Sequence, residues 1–500
     1  MTMTRCTVKH LTLNPLDHFP PSNYTYFVTC LPLKEGVTSE EASQVLREGL
    51  RRTFVQLPWL SGKIHYQSPN APGWRPGQLE IRYDEADFGG DAPLRQLRIK
   101  HLDPEELGAT YEELRESGFP LDRFDDEQLT PSELLPRYED GPDCFSAQAN
   151  FLPGACLLTT ASQHAACDGT SQFDVWKIFA ANCDSLQEPG SPWPEPPAAE
   201  SSDRTLLERI WETEGTGTPL QDVDPASWSL LDISRPGEPR LEAAPSLKIL
   251  SEEPMQAAKF YMSPDKFSLL QKQCAEQTAG QQGVNISAND ALSALVWRCM
   301  LRAKYKAVLE GSRSSAKQDA RSAKARLFMT LDARPDISQA MPMVYLANCF
   351  VINICVKPVA ALSSAETSVG EVARDIRGVL NKTTRAVLLD GYTVAREAPD
   401  LDAIRLNRGH TPGSFDMVLS SLLMFPVQDV KFGGRVFANE GRPDGMQPLM
   451  RRFNRASQVC FVMPRRPWGG VELVLNLYPD EMKILLDDDE FSEWCLFWSF

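Results

Sequence analysis

Apolar positions along this chain change period as it runs. Ala155-Cys156-Leu157-Leu158-Thr159-Thr160-Ala161 is an unbroken apolar and β-branched stretch, the length and composition of a buried strand. Ser162-Gln163-His164-Ala165-Ala166-Cys167-Asp168-Gly169 follows it, so a strand end delivers a histidine, an aspartate four residues on, and a glycine. A helical pattern comes next, with Phe173, Trp176, Ile178 and Phe179 as core positions. Upstream, Tyr24-Thr-Tyr-Phe-Val-Thr-Cys30 predicts another strand. Thr38-Ser39-Glu40-Glu41 is a capping box opening a helix whose apolar face is Ala42, Leu46, Leu50, Phe54 and Leu57. Pro58 stops that helix, a strand is expected after Lys63, and Asp87-Phe88-Gly89 reads as loop. Gly169 is expected to supply a backbone conformation that other residues resist.

Residues 185–255 lose this periodicity. Pro189, Pro192, Pro194, Pro196 and Pro197 interrupt it, which predicts a long crossover linker with one short helix near residues 204–211. Pattern resumes with a strand at 257–262, a helix from Pro264, and a second capping box at Ser287-Ala-Asn-Asp290 ahead of Ala291, Leu295, Trp297, Cys299 and Met300. Strands at 327–331 and 348–356, a helix at 369–380, and a closing strand and helix at 469–477 and 479–486 complete the second half. Strands alternating with helices in both halves predict an α/β (α+β) protein with mixed sheets. The boundaries expected are 1–185, a 186–255 crossover, and 256–500; no internal repeat is visible.

Composition narrows the class. The 500 residues are enough for two cores. A formal charge of -16 argues against a nucleic-acid partner, though local Lys and Arg could still meet an anionic co-substrate. No apolar run approaches the roughly 18 residues of a membrane span, and the first ten residues lack the apolar core of a signal peptide. The 12 cysteines form no Cys-x-x-Cys, so neither a metal site nor a disulfide framework is expected. Cys156, Cys299, Cys349 and Cys355 sit in apolar runs as small hydrophobes, and a cytoplasmic, reduced protein is the expectation.

Of the six histidines, only His164 has an aspartate at i+4; His101 has Glu105 there, but in a charged segment. An imidazole titrates near neutrality, so His164 is the best general base on offer. The alternative is a structural histidine at a strand end. No Gly-x-Ser-x-Gly elbow supports a serine hydrolase.

The order of these landmarks resembles the BAHD acyltransferases of the chloramphenicol acetyltransferase-like superfamily. His164-Ala-Ala-Cys-Asp168-Gly169 matches that family's His-x-x-x-Asp-Gly, and Pro58-Trp-Leu-Ser-Gly62-Lys63 stands where it has Pro-Leu-Ala-Gly-Arg. The helix from Ser287 to Trp297, Asp332-Ala-Arg334, Tyr345-Leu-Ala-Asn348 and the terminal strand and helix match further positions in order. The second hallmark, Asp-Phe-Gly-Trp-Gly, is reduced here to Lys431-Phe432-Gly433-Gly434-Arg435. With the Pro-rich crossover, that departure looks more like the fungal branch containing trichothecene O-acetyltransferases.

The resemblance implies two similar domains with a tunnel at their interface and His164 in its middle. It implies a monomer that moves an acyl group, acetyl by default, from acyl-coenzyme A to a hydroxyl or amine of a small acceptor, with no metal, bound cofactor or membrane. It implies His164 as base, with Asp168 turned from the substrate and paired to Arg334, and Gly169 in the same loop. Ser420, Ser421, Lys324 and Arg326 are the residues expected on the coenzyme A side, and Ser421 is also a candidate oxyanion donor. Two rivals remain. A condensation-type, carrier-protein-dependent transferase would usually show a second histidine where Gln163 stands, and no carrier or adenylation segment is expected here. A non-catalytic ligand-binding protein of the same fold is the other.

Overall fold

The computed structural model describes residues 8–90, 93–188, 190–236, 253–279, 285–310, 322–406 and 414–500. The apolar run of the first half is the strand Ala155–Gln163, buried at every position and lying in the middle of a five-stranded sheet. Tyr24–Pro32 and Phe145–Leu152 flank it antiparallel, with Tyr24 opposite Gln163 and Phe145 opposite Ser162. Leu97–His101 adds parallel to Phe145–Leu152 at one edge. The other edge is Gly445–Pro448, which comes from the far end of the chain and pairs with Tyr24–Pro32.

The helix Ser39–Gln56 starts on the Thr38–Glu41 capping box and buries Ala42, Leu46, Leu50 and Phe54. It packs on the helix Gly169–Ser185 at very short range: a Cβ at Gly49 would lie 2.3 Å from the Cys183 sulfur.

The second half builds a seven-stranded mixed sheet in the order Phe350–Pro358, Lys324–Asp332, Asp416–Ser421, Val459–Val462, Val471–Leu477, Gln256–Met262, Leu496–Ser499. Asp416–Ser421 is parallel to both of its neighbours, and the other pairings are antiparallel. The helix Ala288–Glu310 is apolar around most of its circumference because it is buried, with Trp297 inaccessible.

The Pro-rich region differs from the expected linker. It carries two helices, Leu206–Glu214 and Pro225–Ser229, rather than one. Pro225 begins a helix because its missing N–H falls where no helical bond is needed, and Asp224 caps it. Leu207, Ile210, Val223, Trp228 and Leu231 join a core shared with Phe19, Tyr345 and Phe350. The proline-dense stretch 191–200 is itself largely exposed, and the buried helices follow it.

All eleven described cysteines are unpaired and buried. Among the described residues no helix is long and apolar enough to cross a membrane.

The reduced second motif is a packed turn. Phe432 is inaccessible and meets the rings of Trp176 and Phe179 edge-on at 5.7 and 5.9 Å. Gly433 has φ +102°, and Gln187 fills the space a side chain would need, donating to the Phe432 carbonyl and accepting from the main-chain N–H groups of Arg435 and Val436.

Candidate active site

The strand Ala155–Gln163 ends in a turn that its own last residue builds. Gln163, fully buried, accepts the Ala165 N–H on its side-chain oxygen at 2.6 Å and donates to the Tyr138 hydroxyl. Its carbonyl takes the Ala166 N–H, while the His164 N–H goes to the Asn23 carbonyl. His164 is thereby lifted out of the sheet and remains half-buried between inaccessible neighbours, Gln163 and Ala165.

Two buried charge networks clamp this turn. In the first, Asp168 caps the helix Gly169–Ser185, accepting from the Ser171 N–H and hydroxyl at 2.9 Å each. Arg334 donates to both Asp168 oxygens at 2.9 Å, and the Cys349 N–H reaches the same carboxylate at 2.9 Å. Arg334 is itself anchored to Asp332 at 2.8 Å and to the Tyr345 carbonyl, and Thr170 donates to the other Asp332 oxygen. Burial pushes the Asp168 carboxyl up, but Arg334, the Cys349 N–H and Ser171 outweigh it and hold it below its ordinary value. Every Asp168 contact is spent on the loop frame, so this carboxylate orients the turn and not the imidazole.

The second network was not foreseen. Asp17 and Arg204, both inaccessible at the side chain, pair at 2.8 Å. Arg204 also donates to the carbonyls of Ala166 and Leu346 and lies 4.8 Å from the Trp59 ring centre, which ties the Pro58-Trp59 stretch to the loop. Asn348 donates from its main chain and its carboxamide to Asp17, and from the carboxamide to the carbonyls of His164 and Ala165. The available signal was Asp17 standing between Leu16 and Phe19: an acid in an apolar segment needs a partner. Its partner lay in the region read as linker.

The His164 ring stacks on Phe350, centroids 5.6 Å apart and planes 28° apart, and Phe350 in turn meets Phe19 at 5.2 Å. Burial pulls the imidazole below its ordinary value; its own carbonyl, Asp168 and Asn348 oppose this. Nδ1 is buried and has no hydrogen-bond partner among the described residues. A ring kept neutral at physiological pH is a ring that can accept a proton.

Gly169 departs from expectation. Its φ is not positive, and a Cβ there would meet nothing within 4 Å. It is simply the first residue of the helix, where Asp168 supplies the extended backbone.

On the other expected residues, Ser420 and Ser421 end the strand Asp416–Ser421, and Ser421 donates to the Asn289 carboxamide oxygen at 3.0 Å. Arg326 is held by Asp416, through Nε at 2.9 Å, and lies over the Phe328 ring. Lys324 is exposed at the start of the strand Lys324–Asp332. From Arg326 to Asp332 beside the loop the strand rises about 20 Å at 3.3 Å per residue. The rest of the basic stretch, Arg313, Lys317 and Arg321, lies outside the described residues.

Two family models match the chain: Transferase family over residues 123–492, and trichothecene 3-O-acetyltransferase-like N-terminal domain over residues 23–183. Among curated proteins it is 28% identical to the isocyanide synthase-NRPS hybrid crmA of Aspergillus fumigatus, covering 96% of this chain and 31% of that protein. It is 24% identical to the trichothecene 3-O-acetyltransferase TRI101 of Fusarium sporotrichioides, covering 96% of each. The chain spans about a third and about a half of the length of the first two curated relatives it matches. The fold is that of F. graminearum TRI101 solved with coenzyme A and deoxynivalenol: TM-score 0.76 at 21% identity, covering 98% of this chain and 100% of that one.

Proposed function

This chain belongs to the Transferase family, and we propose that it transfers an acyl group, acetyl by default, from acyl-coenzyme A to a hydroxyl or amine of a small secondary-metabolite acceptor. The observation that carries this reading is a half-buried imidazole kept neutral by burial, on a turn locked by Asp168–Arg334 and by Asp17–Arg204–Asn348. His164 takes the proton of the acceptor as its oxygen or nitrogen attacks the thioester carbonyl. It then returns that proton to the departing thiolate, so both substrates must be bound together. No covalent enzyme intermediate is needed.

The relatives named O-acetyltransferases, and the neighbour solved with coenzyme A and deoxynivalenol, support the donor and the acceptor class. On this reading residues 1–185 and 256–500 are two transferase-like units joined by 186–255, with a tunnel between them. Ser420 and Ser421 flank the thioester side, and Lys324 and Arg326 sit one extended pantetheine arm away, along the strand. The enzyme acts as a monomer in the cytoplasm, a setting that unpaired, buried cysteines suit.

A carrier protein as acyl donor is the second reading, favoured by the match to part of an NRPS hybrid. The test is a mass-spectrometric screen of hydroxylated small molecules with acetyl-coenzyme A, run beside an acetylated carrier protein. Acetylated product with equimolar free coenzyme A is expected. Product from the carrier protein alone would replace the first reading with the second; none from either donor would contradict both.

A further inference from the structure

Three consecutive residues of the second half meet the His164 turn. Asn348 donates to the carbonyls of His164 and Ala165, the Cys349 N–H reaches Asp168 at 2.9 Å, and the Phe350 ring lies against the His164 ring. Phe350 opens the strand Phe350–Pro358 opposite Asp332, the residue that anchors Arg334. Its ring is buried and backed by the inaccessible Phe19, centroids 5.2 Å apart. Strand pairing on one side and a second ring on the other leave it little room to turn away from the imidazole.

An imidazole that takes a proton becomes a cation, and burial at His164 opposes that charge. The ionised groups nearby are closed on one another: Asp168 and Asp332 share Arg334, Asp17 pairs with Arg204, and Arg405, beyond Gln163 on the Tyr138 hydroxyl, pairs with Asp402. Asp168 still favours the protonated ring, but its oxygens are taken by Arg334, Ser171 and the Cys349 N–H. Burial keeps Cys167, Cys349 and Tyr345 neutral, and pushes His18, beside Phe19, down to about 3.

What faces the His164 ring directly is a π-surface. The two planes lie 28° apart with centroids at 5.6 Å, inside the roughly 6 Å over which an aromatic face attracts a cation. Such a contact strengthens when water is excluded, and it acts on the charged ring more than on the neutral one. An interaction that grows as the reaction proceeds lowers the barrier, where an unchanging one only tightens binding.

We propose that Phe350 is a positioning residue for the base: its face holds the His164 ring in orientation and attracts the positive charge that ring acquires with the acceptor's proton. The inference rests on the reading of His164 as general base. Phe350 exchanges no proton itself; the proton passes from the acceptor to the imidazole and on to the departing thiolate.

The test is to replace Phe350 by mono-, di- and trifluorinated phenylalanine, which nearly keep the shape of the ring while weakening its negative face. Along this series kcat should fall stepwise, by on the order of tenfold in all. Both KM values should stay within about twofold, and the melting temperature should hold. A level kcat across the series would make Phe350 a packing residue and overturn the proposal.

Histidine-selective NMR reads the same series without turnover, the His164 signal being assigned by its loss in His164→Gln. The ring should titrate at progressively lower pH as fluorine is added, because the protonated form loses its attraction to the face. An unmoved titration overturns the proposal whatever the activity. A titration that shifts in a protein without acyl transfer would instead overturn the reading of His164 as base and leave the contact between the rings standing.

Discussion

At the scale of single residues, Asp168 and Arg334 show why a carboxylate near the proposed base, His164, need not be part of its chemistry. The pair is 3% and 7% exposed at the side chain, so removing one partner strands a buried charge. Arg334→Ala is expected to cost about 3–5 kcal/mol, read as a lower urea midpoint. Because Asp168 is held below its ordinary value of about 3.9, its contribution is complete above that pH. It is lost as the pH falls through the lower folded value. The stability gap between wild type and Asp168→Asn should therefore narrow as the pH falls below about 4; a gap that widened on acidification would contradict this account. Spacing singles out His164 and Asp168 without deciding between a base and a structural histidine, and the resemblance gives the Asp168–Arg334 pair that the structure shows. Asp17 carried a local signal, an acid in an apolar segment, but its partner Arg204 lies 187 residues away and looks ordinary locally.

At the scale of elements, capping boxes and apolar runs were the readable features because their physics is local. Thr38–Glu41 and Ser287–Asp290 start helices as their spacing predicts, and a continuous apolar run became the central strand. Glycines were less readable, because a sequence does not show which ones carry positive φ. Gly169→Ala should change stability by less than about 1 kcal/mol, since its backbone is ordinary and the space beside it is open. Gly433→Ala should cost more, about 1–3 kcal/mol for the left-handed backbone before the clash with Gln187 is counted. Thermal melts of the two variants compare them directly, and the reverse order would refute the structural account of the reduced second motif.

At the scale of the whole molecule, the five- and seven-stranded sheets are held together by pieces that composition assigned elsewhere. Gly445–Pro448 leaves the second half to edge the first sheet, and the Pro-rich region carries Arg204 to the His164 turn. Register and long-range pairing leave no local trace, so the mixed sheets were legible as a class but not as a topology. An acidic chain must also draw in a polyanionic donor through local cations. Lys324→Gln should raise KM for the acyl donor about threefold at low salt, less at high salt, and leave KM for the acceptor unchanged; equal effects on both substrates would remove Lys324 from the donor path.

The proposed chemistry rests on one imidazole moving one proton. The measurement that tests this most directly is coenzyme A thiol release by purified His164→Ala, with circular dichroism and melting temperature recorded beside wild type. The account predicts an intact fold and a rate lowered on the order of 10²–10⁴-fold; turnover at the wild-type rate by a folded His164→Ala protein would contradict it.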